Sequence, residues 1–269
     1  DGAALTKFLF WGKNNYKHKK ITEIFAQNKL LSFKKKFRSF KSLSFPTISG
    51  TGSNGAIVHY NANKKTNKTL KRGDIYLVDS GAQYYYGTTD VTRTISLDNQ
   101  NKKIKEIFTR VLKGHLGVYN FKLKKNTTGN ILDKLARKYL NKIKLDYSHG
   151  TGHGVGFFLN VHEGPQSISK FNKVKLKPGM ILSNEPGYYK SGKFGIRIEN
   201  LIMIKNNKKI YKFENLTYAP IDKSLIDKKL LENDEIELLN KYHKDVYQKL
   251  KKYMNSNEIK LLKIACSKI

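Results

Sequence analysis

Residues Asp74–Leu97 read DIYLVDSGAQYYYGTTDVTRTISL. Two runs rich in β-branched and aromatic residues flank a Gly-containing turn, the pattern of a β-hairpin. Each run carries one carboxylate where an apolar strand would not: Asp79 in IYLVDSGA and Asp90 in TTDVTRTIS. A carboxylate buried in a sheet is costly unless it is paired, protonated or bound to a metal. Further along the chain the layout recurs. MILSNEPGYY (180–189) and FGIRIENLIMI (194–204) read as a second pair of strands, interrupted by Glu185 and Glu199. A solvent-facing position on an edge strand accounts for one such residue. It accounts poorly for four, and Arg93 and Arg197 are too few to neutralise them.

Ahead of each pair the sequence predicts two helices and one short strand. In the first half, ALTKFLFWGK is amphipathic and ITEIFAQNKLLSFKKKF places apolar residues near i, i+3, i+4 and i+7, so residues 2–40 hold two helices. AIVHY (56–60) then reads as a strand that brings in His59. In the second half, IKEIFTRVLKGHLGVYNFKL is a helix, and Thr128 stands where it caps another through GNILDKLARKYLN. GVGFFLNVH (154–162) then reads as a strand ending at His162. The order predicts an α+β fold, a duplicated helix–helix–strand–hairpin unit whose halves close around a shared site. Residues 217–269 are Lys-rich and helical through ENDEIELLNKYHKDVYQKLKKYM. They read as a C-terminal extension packed on residues 1–216 or on a second subunit.

The stretch HGTGHGVGFFLNVHEGP (149–165) brings three histidines among alternating glycines. A dinucleotide cradle needs G-x-G-x-x-G between a strand and a helix. Here the glycines fall at 150, 152, 154 and 156, and strand-like FFLNV follows, so no helix N-terminus meets a phosphate. His149 and His153 have the spacing of a helical zinc pair, but two glycines lie between them, each costing a helix roughly 1 kcal/mol. No Glu follows the first His to serve as base. Four carboxylates and one imidazole instead make the donor set of two divalent cations, with Mn, Co and Zn all suited to it. The residues alone do not say whether His149 or His153 supplies the imidazole.

The formal charge of +31 invites a nucleic-acid reading. Lysine is spread over nearly every polar stretch, however, and arginine is scarce, which is the pattern of solvated positions filled by a compositional bias. We therefore expect no specific nucleic-acid partner. No apolar run approaches the ~20 residues that span a bilayer, so no membrane partner is expected either. Cys266 is the single cysteine and has no internal disulfide partner. The chain opens on Asp1, from which we expect a fragment, with any targeting signal or preceding domain outside it.

VDSGAQYYYGTTDVTRT, HGTGHGVGFFLNVHEGP, NEPGYY and GIRIEN resemble the metal and active-site segments of aminopeptidase P, the Xaa-Pro branch of the pita-bread metallopeptidases. DGAALTKFL, SFPTISGTGSNGAIVHY and NLTYAPIDKSLID extend the resemblance over almost the whole chain. It implies a pita-bread catalytic domain in residues 1–216, with a curved antiparallel sheet. It implies that Asp79, Asp90, His153, Glu185 and Glu199 bind two divalent ions, usually manganese. Asp79 would chelate one ion and His153 the other, Asp90 and Glu199 would bridge them, and Glu185 would also act as general base. His59, His149 and His162 match positions lining the substrate pocket and are expected to hold the scissile carbonyl and its developing charge, with His149 and His162 counted as catalytic; Arg197 is expected among the substrate contacts. The reaction implied is removal of the first residue from peptides with proline second, through attack of a water bridging the two ions. A cytoplasmic homodimer is implied as well. Tyr86 departs from the acidic residue usual at its position, which is not a ligand position.

Overall fold

The computed structural model describes residues 1–207 and 210–269. Helices α1 (Gly2–Asn15) and α2 (Glu23–Lys34) open the chain. Helix α2 starts where the Thr22 hydroxyl accepts the N–H of Phe25 at 3.2 Å, satisfying a donor that has no partner within the helix. Strands β1 (Phe40–Leu43) and β2 (Ile48–Thr51) follow, then β3 (Ile75–Ser80), β4 (Ala82–Tyr84), β5 (Gly87–Thr88) and β6 (Val91–Ser96). β2, β3 and β6 form an antiparallel sheet with β3 in the centre. The two-residue period of a strand divides β3 between two environments. Tyr76 and Val78 pack with Leu5, Phe8 and Leu30, while Leu77 packs on the other face with Ile48 and Tyr60. Asp79 lies two residues beyond Leu77 and so faces away from the helices.

The second half repeats the plan with α3 (Lys102–Tyr119), α4 (Gly129–Asn141), β7 (Gly152–Val155), β8 (His162–Ile168), β9 (Ile181–Asn184), β10 (Gly187–Lys190), β11 (Phe194–Arg197), β12 (Asn200–Asn207) and β13 (Ile210–Asn215). Its sheet runs β13-β12-β9-β7-β8. In both halves a long hairpin is kinked midway and its tip leaves the parent sheet. The tip is β4–β5, paired to β1, in the first half and β10–β11 in the second. At Gly81 the turn is so close that a Cβ would lie 2.0 Å from the Thr89 carbonyl oxygen. At Pro186 the missing N–H interrupts the ladder. The α+β duplication expected from the element order is therefore present.

Several expectations are corrected. AIVHY is not a strand: it straddles the end of a 3-10 turn, Gly52–Ala56, and the bend after it, while the strand lies earlier, at β2. Gly52 has φ +54° and Gly55 packs against Gly195, so the segment coils where its apolar composition favours extension. GVGFFLNVH is not one strand either. The chain reverses between β7 and β8, with Phe158 at φ +56°. Thr128 stands at the N-cap of α4 but its hydroxyl donates to Asn130 Oδ1 rather than accepting from the helix. Glu185, Glu199 and Asp90 lie at the kinks between strand segments; only Asp79 is within a strand.

The alternating glycines of β7 also acquire a reason. A Cβ at Gly152 would lie 1.9 Å from the Ser183 carbonyl oxygen, and one at Gly154 would lie 2.0 Å from that of Glu163. Both obstacles are backbone, so β7 admits no side chain there. Gly152→Ala is expected to destabilise the chain by about 1–3 kcal/mol in urea unfolding through overpacking; unchanged or raised stability would contradict the close approach.

Helices α5 (Asn233–Leu250) and α6 (Ser256–Ala265) finish the chain. Leu239, Val246, Leu250 and Leu262 join Phe108, Val111 and Leu112 of α3 in one buried cluster, and Lys113 of α3 is ion-paired to Glu235. The tail thus packs against the body of the same chain. Among the described residues, no helix is long and apolar enough to cross a membrane.

Candidate metal centre

The kinks of the two hairpins meet. Asp79, Asp90, Glu185 and Glu199, together with His59, His149, His153, His162 and Arg197, all line one cleft of about 490 Å³. Sequence separations of more than a hundred residues are closed here by the facing of the two halves. Ligand atoms of Asp90, His153 and Glu199 lie within 4.8 Å of one another, the spacing of groups that share a cation. Glu185 Oε1 and Asp90 Oδ2 are each 3.3 Å from His153 Nε2. Asp79 stands beside this group, held by Arg197 Nη2 at 2.7 Å.

The histidines separate clearly. His153 Nδ1 is 2.8 Å from the Gly154 carbonyl, which only accepts, so Nδ1 carries a proton and Nε2 is the nitrogen that faces the carboxylates. His149 Nδ1 meets the Gly150 carbonyl at 2.7 Å, and its Nε2 meets the Tyr189 hydroxyl at 2.9 Å. His162 stacks near His153 with ring centroids 3.9 Å apart, and His59 is exposed at the cleft edge. Arg197 is buried, and its three nitrogens donate to Thr92 Oγ1 at 3.0 Å, the Tyr189 hydroxyl at 2.6 Å and Asp79.

Thr92 and Tyr189 are contributors that sequence reasoning passed over. The Thr92 hydroxyl donates to Glu199 Oε2 at 2.7 Å, and Tyr189 joins Arg197 to His149. Their signal is faint: a threonine two residues after Asp90, in β6, and a tyrosine just after the kink of the second hairpin. Phe45, Pro46, Ile48, Val58 and Val161 supply an apolar wall beside the charges.

Electrostatically the cluster is short of positive charge. Burial, then the neighbouring Asp79 and Glu185 charges, push Asp90 well above the usual carboxylate range. Glu199 is pushed well up by burial and by Asp90, Glu185 and Asp79. Burial also raises Glu185. Lys34 is fully buried nearby and feels Asp79 and Asp90, but burial lowers it to about 7, so it is an incomplete counter-charge at neutral pH. Burial and the Arg197 charge hold His149 down to about 4, so its ring is neutral there. Asp79 Oδ1 is buried with no hydrogen-bond partner.

These features fit divalent cations. A ring nitrogen 3.3 Å from two carboxylate oxygens needs something positive, a proton or a cation, between them. Burial and mutual repulsion favour the protonated form of these carboxyl groups, and a divalent cation among the same oxygens would relieve both. The oxygen-rich set with one nitrogen is the chemistry of Mn, Co or Zn sites.

A profile of metallopeptidase family M24 matches residues 1–206, and one of the C-terminal region of peptidase M24 matches residues 209–269. The protein named Probable Xaa-Pro aminopeptidase P of Pyrenophora teres f. teres is 45% identical over 274 residues, covering 97% of this chain and 42% of that protein. Its namesake in Fusarium vanettenii is 46% identical, covering 97% of this chain and 44% of that protein. Among solved structures, the X-prolyl aminopeptidase of Caenorhabditis elegans is described as a cytosolic enzyme with a di-nuclear active site. It matches with a TM-score of 0.96 and 38% identity, over 100% of this chain and 46% of that one. Prolidase from Pyrococcus furiosus matches with a TM-score of 0.67 and 28% identity, over 80% of this chain and 62% of that one. The chain spans less than half the length of the curated relatives it matches.

Proposed function

The chain belongs to metallopeptidase family M24, and from that premise we propose that it is the catalytic part of an Xaa-Pro aminopeptidase, hydrolysing the bond between a first residue and a following proline. The observation that carries this reading is the convergence of four carboxylates and His153 Nε2 beside an apolar wall. Asp79, Asp90, His153, Glu185 and Glu199 would hold two divalent ions, manganese being favoured over cobalt and zinc. Such a pair, when bound, supplies the positive charge that acidifies water and polarises a carbonyl.

The chain's own residues do the rest. Glu185 accepts the proton of the attacking water and returns it to the proline nitrogen as the C–N bond breaks, so that the amine leaves neutral. His162 lies partly open beside His153, and burial lowers its pKa; its N–H is suited to the carbonyl oxygen on which negative charge develops. His149 lines the same cleft and is oriented by Tyr189. Arg197, expected among the substrate contacts, is better read as the residue that fixes Asp79 and Tyr189, because its nitrogens are already engaged with protein groups. Phe45, Pro46 and Val58 offer the pyrrolidine ring an apolar surface, and a tertiary amide without an N–H asks nothing more of that wall. A cytoplasmic setting follows the nematode relative.

The test is hydrolysis by metal-stripped chain given Mn, Co or Zn. Release of the first residue from tripeptides with proline second, and not from matched peptides with alanine second, is the expected result. Cleavage confined to Xaa-Pro dipeptides would make the chain a prolidase instead, and no cleavage with any metal would overturn the enzymatic reading.

A further inference from the structure

Arg93 lies on β6 next to Thr92 and is 1% exposed. A buried guanidinium is ordinarily matched by a carboxylate. Here every hydrogen-bond partner is a neutral oxygen. Nη1 donates to the carbonyls of Thr92 at 2.8 Å and Glu199 at 2.6 Å. Nη2 reaches Asn200 Oδ1 at 2.8 Å, the Ala219 carbonyl at 2.9 Å and the Tyr242 hydroxyl at 2.7 Å, and Nε reaches the Pro220 carbonyl at 3.2 Å. The five N–H groups of the guanidinium therefore all have acceptors, and these come from four parts of the chain: β6, residues 199–200 at the entry to β12, the segment 219–220 and helix α5.

We propose that Arg93 and Tyr242 are positioning residues for Glu199, and that through them helix α5 fixes one wall of the metal centre. The proposal rests on the reading of Glu199 as a metal ligand. Glu199 lies in the gap between β11 and β12, and β6 holds it at three points. Its N–H donates to the Thr92 carbonyl at 3.2 Å, its Oε2 accepts from the Thr92 hydroxyl, and its own carbonyl accepts from Arg93. Thr92 and Arg93 are consecutive and point to opposite faces of β6, so one holds the ligand's side chain and the other its backbone. Arg93 is in turn held from behind. The Tyr242 hydroxyl accepts from it and donates to the Ala219 carbonyl at 2.7 Å. The next residue, His243, accepts the Ile221 N–H at 3.2 Å and pins the same segment. Helix α5 thus sets where the guanidinium stands, and the guanidinium sets where the Glu199 backbone stands.

Tyr242→Phe removes one oxygen and keeps the ring. Outer-shell partners of metal ligands typically account for about 10–100-fold in metal affinity, and the expected loss here is about tenfold. Leu262→Ala is the control. It opens the core of the same C-terminal region, where Leu262 is fully buried, without touching Arg93. The experiment is calorimetric titration of Mn²⁺ into the metal-stripped chain and both variants, with thermal melts in chelator. Tyr242→Phe should bind Mn²⁺ about tenfold more weakly, while Leu262→Ala binds like the parent despite a larger loss of melting temperature. Parent-like affinity in Tyr242→Phe, or weakening in both variants in proportion to lost stability, would overturn the proposal and leave the metal-centre reading intact. A parent chain that binds no Mn²⁺ would overturn both, and is seen before either variant is titrated.

Discussion

Asp90→Asn is expected to raise the melting temperature of the metal-free chain and to abolish the further rise that divalent cation gives the parent. Asp90 is buried among like charges, and its carboxyl is driven well above the usual range by burial and then by Asp79 and Glu185. A folded-state pKa above the unfolded value means that the folded chain binds the extra proton between the two. Stability then falls as pH rises through the folded pKa. Removing the carboxyl removes that loss. The difference in melting temperature, variant minus parent, should be small near pH 4.5 and grow as pH is raised toward 8. His115 and His243, both lowered to about 3 by burial, and His149, lowered to about 4, act in the opposite sense. They must charge on unfolding below their ordinary range, so they cost stability as pH falls, but they are common to both proteins and largely cancel in the difference. With Mn²⁺ at a hundred times its dissociation constant the parent should gain about 2.7 kcal/mol and the variant nothing comparable. Differential scanning calorimetry in chelator and in Mn²⁺ reads both effects. A variant that melts below the parent at pH 8 in chelator would contradict the repulsion.

Glu185→Gln should lower kcat for a proline-second tripeptide by about 10²–10⁴, the usual contribution of a positioned acid–base group. Glu185 Oε1 is held by the Ser183 hydroxyl at 3.0 Å and stands 3.3 Å from His153, so its neighbours fix its place. Glutamine keeps the shape and loses the proton acceptor. The loss should persist at saturating Mn²⁺, with KM little changed. A raised KM with unaltered kcat would assign Glu185 to binding rather than proton transfer.

Much of this architecture is legible in the sequence because it rests on local periodicity. The helices follow from apolar spacing, and the carboxylates stand out because they interrupt apolar runs. What was not legible depends on partners distant in sequence. FFLN looks extended by composition, yet its turn is held by the Phe158 N–H donating to Thr88 and by Gln83 reaching the Leu159 carbonyl, both from the other half of the chain. AIVHY coils because Gly55 must clear Gly195. What distinguishes the surroundings of His149 from those of His153 is likewise beyond the residue pattern. It is an orientation: one Nε2 faces carboxylates and the other a tyrosine hydroxyl. Nor does the pattern show that Arg93 bonds to neutral oxygens 1 to 149 residues away along the chain while Arg197 pairs with Asp79.

The central claim is that the kinks of two duplicated hairpins assemble a two-cation centre. Crystals of the chain soaked in Mn²⁺ and measured at the manganese absorption edge test it most directly. The account predicts two anomalous peaks within the cleft, bounded by Asp79, Asp90, His153, Glu185 and Glu199. Peaks confined to other residues, or a single ion that leaves Asp79 in its bond with Arg197 alone, would contradict it.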